Sequence, residues 1–187
     1  MFREVLQLLF IFCIFLMGCS NKLVNNNQEN YKLLLIAKET PKIIFPGKGE
    51  YVYDYFSNQE GEVEWKLEIY QKGRFIERKS VKNSVKSKEK GDFVFKVNNN
   101  DDKIQWVLIL NNKEQIITTN NIFKDINFSH DICDSEKYIE GKEEILVAFY
   151  GNIKEKLQDE NLDINKYEEN IIKNYDAAYF LKISFKK

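Results

Sequence analysis

Between Glu62 and Ile69 the chain alternates without a break. Val63, Trp65, Leu67 and Ile69 fall on one side, and Glu62, Glu64, Lys66 and Glu68 on the other. Side chains of an extended strand point alternately to opposite faces, so this run predicts a half-buried antiparallel strand. The same period recurs at Phe93, Phe95 and Val97, at Ile104, Trp106, Leu108 and Leu110, at Ile145, Val147 and Phe149, and at Tyr179, Leu181, Ile183 and Phe185. In the 104–110 run Val107 and Ile109 are apolar as well, which predicts a central strand covered on both sides. Turns punctuate the strands. Gln71-Lys72-Gly73 precedes a return strand starting at Phe75-Ile76-Glu77-Arg78, and Lys86–Gly91 reads as a charged turn. Asn98–Asp102 reads as a loop, and Asn111-Asn112 as a tight turn into Gln115–Thr118. Short strands with turns roughly every 8–12 residues predict a mainly β chain, an antiparallel β-sandwich of immunoglobulin-like or similar type.

One segment departs from period two. Ile164, Tyr167, Ile171, Ile172 and Tyr175 have helical spacing, with Asp163 placed to cap the first turn. A short helix near the C-terminus is expected there, crossing between sheets. No βαβ alternation, internal repeat or heptad seam is visible.

The N-terminus obeys a different rule. Val5–Leu16 is almost wholly apolar. A run of about a dozen residues suits the core of an export signal and falls short of the roughly 20 needed to span a bilayer. Leu16-Met17-Gly18-Cys19 closes it. This tetrapeptide resembles the lipobox of bacterial lipoproteins. The resemblance implies cleavage between Gly18 and Cys19 and a diacylglyceryl group on the Cys19 thiol. Two details depart from that pattern: Arg3 is the only basic side chain before the apolar run, offset by Glu4, and Met17 is larger than the usual small residue. Two acyl chains at about 0.8 kcal/mol per buried CH₂ anchor a protein stably, whereas one holds it marginally. The expected layout is therefore a signal over 1–18, a polar Asn-rich tether over 19–30, and one β-sandwich domain over 31–187. The expected location is the extracytoplasmic face of the cell membrane.

Charge and cysteines narrow the classes. Cleavage would leave about 170 residues, enough to bury a real core. Lys and Arg total 28 against 29 Asp and Glu, for a net charge of −1. That balance excludes the basic stripe nucleic acid demands and leaves the lipid, not a polybasic patch, as the membrane anchor. Of the 3 cysteines, Cys13 leaves with the signal and Cys19 carries lipid, so Cys133 stands alone and no disulfide framework is expected.

In overall layout the chain resembles small uncharacterised β-sandwich lipoproteins of Gram-positive Firmicutes. The residues that carry the likeness are the lipobox, the Asn-rich spacer, the Glu62–Leu67 strand and the Asp176–Ile183 strand. It implies no activity. Asp176-Ala177-Ala178-Tyr179 also resembles the tyrosine corner of immunoglobulin-like domains, one residue short in spacing; a core role for Tyr179 is the stronger expectation.

Candidate chemistry is sparse. Ser129-His130-Asp131 has the residue types of a hydrolase triad, but triad members converge from separate elements, and three consecutive residues point apart. The stretch His130, Asp131, Cys133, Asp134 and Glu136 lacks zinc-ligand pairing and the glycine-permitted turn of a calcium loop, so no metal is expected. No cofactor is expected either. Asn127-Phe128-Ser129 matches a glycosylation sequon without meaning in a bacterial lipoprotein. Tyr51, Tyr53 and Tyr55 share one strand face and would suit a platform for sugar rings or a protein partner; alternatively they face the core beside Trp65. The leading expectation is a membrane-tethered, non-catalytic binding module with an envelope protein or glycan as partner. The alternative is an envelope enzyme, hydrolase-like, whose residues are scattered along the sequence.

Overall fold

The computed structural model describes residues 31–38, 49–100, 102–133, 135–154 and 167–187. The expected export signal over 1–18, Cys19, the expected tether, Asp134, Asp163 and Ile164 lie outside the described residues.

Alternation builds the strands. In chain order they are β1 (Leu33–Ala37), β2 (Gly49–Ser57), β3 (Gly61–Gln71), β4 (Arg74–Val85), β5 (Lys90–Asn100) and β6 (Lys103–Leu110). Then come β7 (Lys113–Asn120), β8 (Phe128–Cys133), β9 (Glu136–Ile139), β10 (Glu144–Asn152), helix α1 (Tyr167–Asn174) and β11 (Ala177–Lys186). All pairings are antiparallel, in a six-stranded sheet ordered β7-β6-β5-β2-β1-β9 and a five-stranded sheet ordered β4-β3-β11-β10-β8. The β-sandwich expected from the alternation is what forms. Its order is not that of the immunoglobulin sheets, which hold strands A-B-E-D and C-F-G. Here β11 inserts between β3 and β10, so the end of the chain joins the two halves of its sheet.

Aromatic side chains weld the sheets. Trp65 on β3 stacks on Phe93 of β5 with centroids 3.9 Å apart, and Trp106 on β6 meets Tyr179 of β11 at 4.8 Å. Tyr51 meets Phe149 edge-on at 6.1 Å. Each ring removes on the order of 150–250 Å² from water, so these contacts carry much of the core's stabilisation. Two hairpins close with two residues in the left-handed region: Lys72 (φ 49°) with Gly73 (φ 74°), and Asn111 (φ 50°) with Asn112 (φ 61°). That is the mirror-image turn whose twist matches the flanking strands.

Several local expectations need correction. Asn98–Asn100 continue β5, paired with Lys103–Gln105, because ladder hydrogen bonds override the turn preference of asparagine. β6 sits one strand from an edge, with Val107 buried but Ile109 only half-buried. The strands buried on both faces are β11, from Ala177 to Phe185, and β10, from Leu146 to Asn152. In β10 a register shift between Ile145 and Val147 puts Leu146 and Val147 in the central core and leaves Ile145 against the outer cluster. Helix α1 does not cross between sheets. It links β10 to β11, which are neighbours in one sheet, and buries Ile171 against Ala148, Tyr150, Ala178 and Phe180 on that sheet's outer face.

Candidate functional site

The tyrosine platform is overturned as an exposed surface. Tyr51, Tyr53 and Tyr55 are 0 % exposed and sit in the central core with Trp65. Alternation puts them on the inner face of β2, where they pair with Phe95, Phe93 and Gly91 of β5. Two hydroxyls reach polar partners at the margin of the core. Tyr51 donates to Asp131 Oδ2 at 3.1 Å, and Tyr55 donates to Glu89 Oε1 at 2.9 Å. Burial, reinforced by these carboxylates, pushes both phenols above their ordinary range.

Ser129, His130 and Asp131 are consecutive on β8, opposite Gly151, Tyr150 and Phe149 of β10. Asp131 is committed to the Tyr51 hydroxyl. Cys133 is half-buried against the core and outside any disulfide. Among the described residues no group of three His, Cys, Asp or Glu side chains could hold a metal ion. Tyr179 is a core residue, as expected. Its hydroxyl donates to the Asn120 carbonyl at 2.6 Å and accepts from the Ile122 amide at 3.1 Å, pinning the exit from β7. This is not the local bond of a tyrosine corner.

The charged face of β3 is not a solvated surface. Glu68 is 1 % exposed, Glu64 7 % and Lys182, opposite on β11, 7 %. Lys182 Nζ lies 2.8 Å from Glu68 and 2.6 Å from Glu168 of α1. Arg78 on β4 also binds Glu68, and Tyr70 donates to it at 3.1 Å. Burial pushes the Glu68 carboxyl up, but the Lys182 and Arg78 bonds outweigh it and hold it below the ordinary range. Burial likewise lowers Lys182, yet Glu168 and Glu68 together raise it. This layer ties the helix to the sheet.

A cavity of about 820 Å³ opens at one end of the sandwich. Val85 and Leu110, both core residues, form its apolar floor. Asn83 belongs to the inward row of β4 with Val81 and Val85, is 9 % exposed, and lines the cavity. Its side-chain amide has no hydrogen bond to any described residue. Beside it Gln115 of β7 spans to the Lys82 carbonyl of β4 at 3.2 Å, linking the two edge strands, while its Oε1 is buried without a partner. The rim is charged and balanced, with Glu60, Glu62 and Glu89 against Lys86, Lys113 and Lys187. Glu89 accepts from Tyr55, from the Asn111 amide and from the Lys86 backbone. Glu62 pairs with Lys82 at 2.7 Å.

The sequence reading places Glu62, Leu110, Lys86–Gly91 and Asn111 only as strand and turn residues and assigns none of the cavity residues a binding role. The signal was present: the alternation Val81, Asn83, Val85 places one amide in an apolar row.

Fold and cavity together define a class, a β-sandwich with a pocket at one end that has an apolar floor and a charged rim. No protein-family model matches the chain, and no curated protein matches it. Among the described residues no helix is long and apolar enough to cross a membrane.

Proposed function

We propose that this chain is an extracytoplasmic lipoprotein, held to the cell membrane by lipid on Cys19, whose β-sandwich acts as a non-catalytic binding module of the envelope. The observation that carries the anchoring is Leu16-Met17-Gly18-Cys19, set at the end of an apolar run of export-signal length. Two acyl chains supply the anchoring energy that a near-neutral surface does not. With the tyrosines buried, the binding role passes to the end cavity, whose volume falls in the range of small-ligand sites.

The cavity also gathers three carboxylates, which favours a hydrolase-like enzyme as second reading. Two of them are already committed. Glu89 is spent on three donors and Glu62 on Lys82. That leaves Glu60 alone, without the second free carboxyl that an acid–base pair needs, so binding is the better reading. Membrane fractionation tests the anchor. Cys19→Ala should release the protein or leave an uncleaved precursor, and Cys133→Ser should behave as the parent. A Cys19→Ala protein that fractionates and migrates like the parent refutes the reading.

A further inference from the structure

We infer that β7 is a docking edge for a second copy of this chain, the two β7 strands pairing antiparallel across a two-fold axis at Ile116 and joining their six-stranded sheets. The inference goes beyond the anchor and the end cavity and needs neither.

The described strands leave four edges, β7 and β9 in one sheet and β4 and β8 in the other. An edge presents unpaired backbone N–H and C=O groups, and native proteins blunt it with charges, bulges, short strands or inward-pointing charged side chains. Three of these edges are blunted. β9 is four residues long. β8 turns Asp131 onto the Tyr51 hydroxyl at the core margin. β4 carries Arg78, Lys79 and Lys82 and shifts register opposite Ile69 and Tyr70. β7 has none of these devices. It pairs with β6 in unbroken register, contains no proline and is uncharged from Gln115 to Asn120. Ile116, on its outer row, is 55 % exposed, more than any other large apolar side chain among the described residues.

The sequence of β7 points to the occupant. A two-fold pairing sets the strand opposite itself read backwards. Side chains alternate, so the inner row continues into the second copy only when odd-numbered residues face odd-numbered ones. Centring the pair on Ile116 meets that condition. Ile116 then faces Ile116 of the second copy, Gln115 faces Ile117, Glu114 faces Thr118 and Lys113 faces Thr119. No like charges meet, and the two exposed isoleucines cover each other as a cross-strand apolar pair. β4 does not allow this. Centred on any residue from Ile76 to Ser80, it would set like charges opposite one another.

Cysteine cross-linking of the full chain in its membranes tests the register, in a Cys133→Ser background. Residues paired on the axis lie about 4.5–5.5 Å apart at Cα, within disulfide reach. Thr118 and its copy would lie about 14 Å apart, beyond it. Ile116→Cys should therefore oxidise to a dimer on a non-reducing gel, and Thr118→Cys should stay at the level of Cys133→Ser alone. Sedimentation equilibrium in density-matched detergent should show a dimer for the parent. Ile116→Lys, a charge at an exposed position, should weaken that dimer at least about tenfold. Ile76→Lys, at a similarly exposed isoleucine of β4, should leave it unchanged. A monomeric parent overturns the inference, as does a dimer that survives Ile116→Lys. Equal cross-linking at Ile116 and Thr118 overturns it as well. A dimer lost in Cys19→Ala belongs to the lipid and also overturns the edge pairing, whereas fractionation of that variant reads the anchor by itself.

Discussion

Lys182→Met probes the buried charge layer. The substitution keeps the volume of the stem and removes the ammonium that faces Glu68, Glu168 and Glu143. Glu68 is then left 1 % exposed with only the half-exposed Arg78 opposing its charge. Breaking a buried pair by removing one partner costs about 3–5 kcal/mol, and the surviving Arg78 contact sets the expectation near about 3 kcal/mol. For a domain of this size that lowers Tm by roughly 6–12 °C. The assay is thermal unfolding by circular dichroism from pH 4 to 8. In the parent, Glu68 titrates below its unfolded value of about 4.3, so its contribution is present above that pH and is lost as pH falls through the lower folded value. In the variant, burial dominates and Glu68 takes up a proton at higher pH. The gap between variant and parent should therefore narrow toward pH 4. Adding Glu68→Gln to Lys182→Met removes the stranded charge and should recover part of the loss. A single variant within about 1 kcal/mol of the parent, or a double variant that loses the sum of two single losses, would refute the reasoning.

Other outcomes follow from the same geometry. The Trp106 indole donates to Thr119 Oγ1 at 2.8 Å in the core, so Thr119→Val should cost about 1–3 kcal/mol in denaturant unfolding by stranding that N–H. A methyl at Gly61 would meet the Lys186 carbonyl and the Phe185 ring at 2.5 Å, so Gly61→Ala should destabilise by about 1–3 kcal/mol in the same assay. Asn112 holds φ 61° in a two-residue hairpin, so Asn112→Gly should be neutral or stabilise by less than about 1 kcal/mol. Lys182 is raised above the ordinary lysine value of about 10.4, so its contribution is complete below that pH and is lost as pH rises through the raised value; alkaline unfolding of the parent against Lys182→Met measures it.

Fold class was legible because period-two alternation is dictated by the backbone: the burial of β5 alternates as read, and the inward rows of β3 and β6 are the ones the sequence marks. Central placement was harder to read. β11 looked half-buried from Tyr179, Leu181, Ile183 and Phe185, yet Phe180 is buried against α1, Lys182 in the ion pairs, and Ser184 is buried too. Burial of Lys182 and Glu68 depends on partners far apart in the sequence, which a pattern along one strand does not contain. Tyr51, Tyr53 and Tyr55 were ambiguous for a related reason. Tyrosine suits both a wet platform and a core margin, and only the placement of Asp131 and Glu89 beside two of the hydroxyls decides between them. The cavity went unread because Asn83 lies between Lys82 and Ser84, where polar residues look like ordinary edge-strand solvation.

The central claim concerns Cys19, and mass spectrometry of the N-terminal peptide from membrane-extracted protein tests it most directly. The account predicts that the chain begins at Cys19 with a diacylglyceryl group on its Sγ. An unmodified Cys19, or an intact Met1–Gly18 segment on the membrane-bound protein, would contradict it.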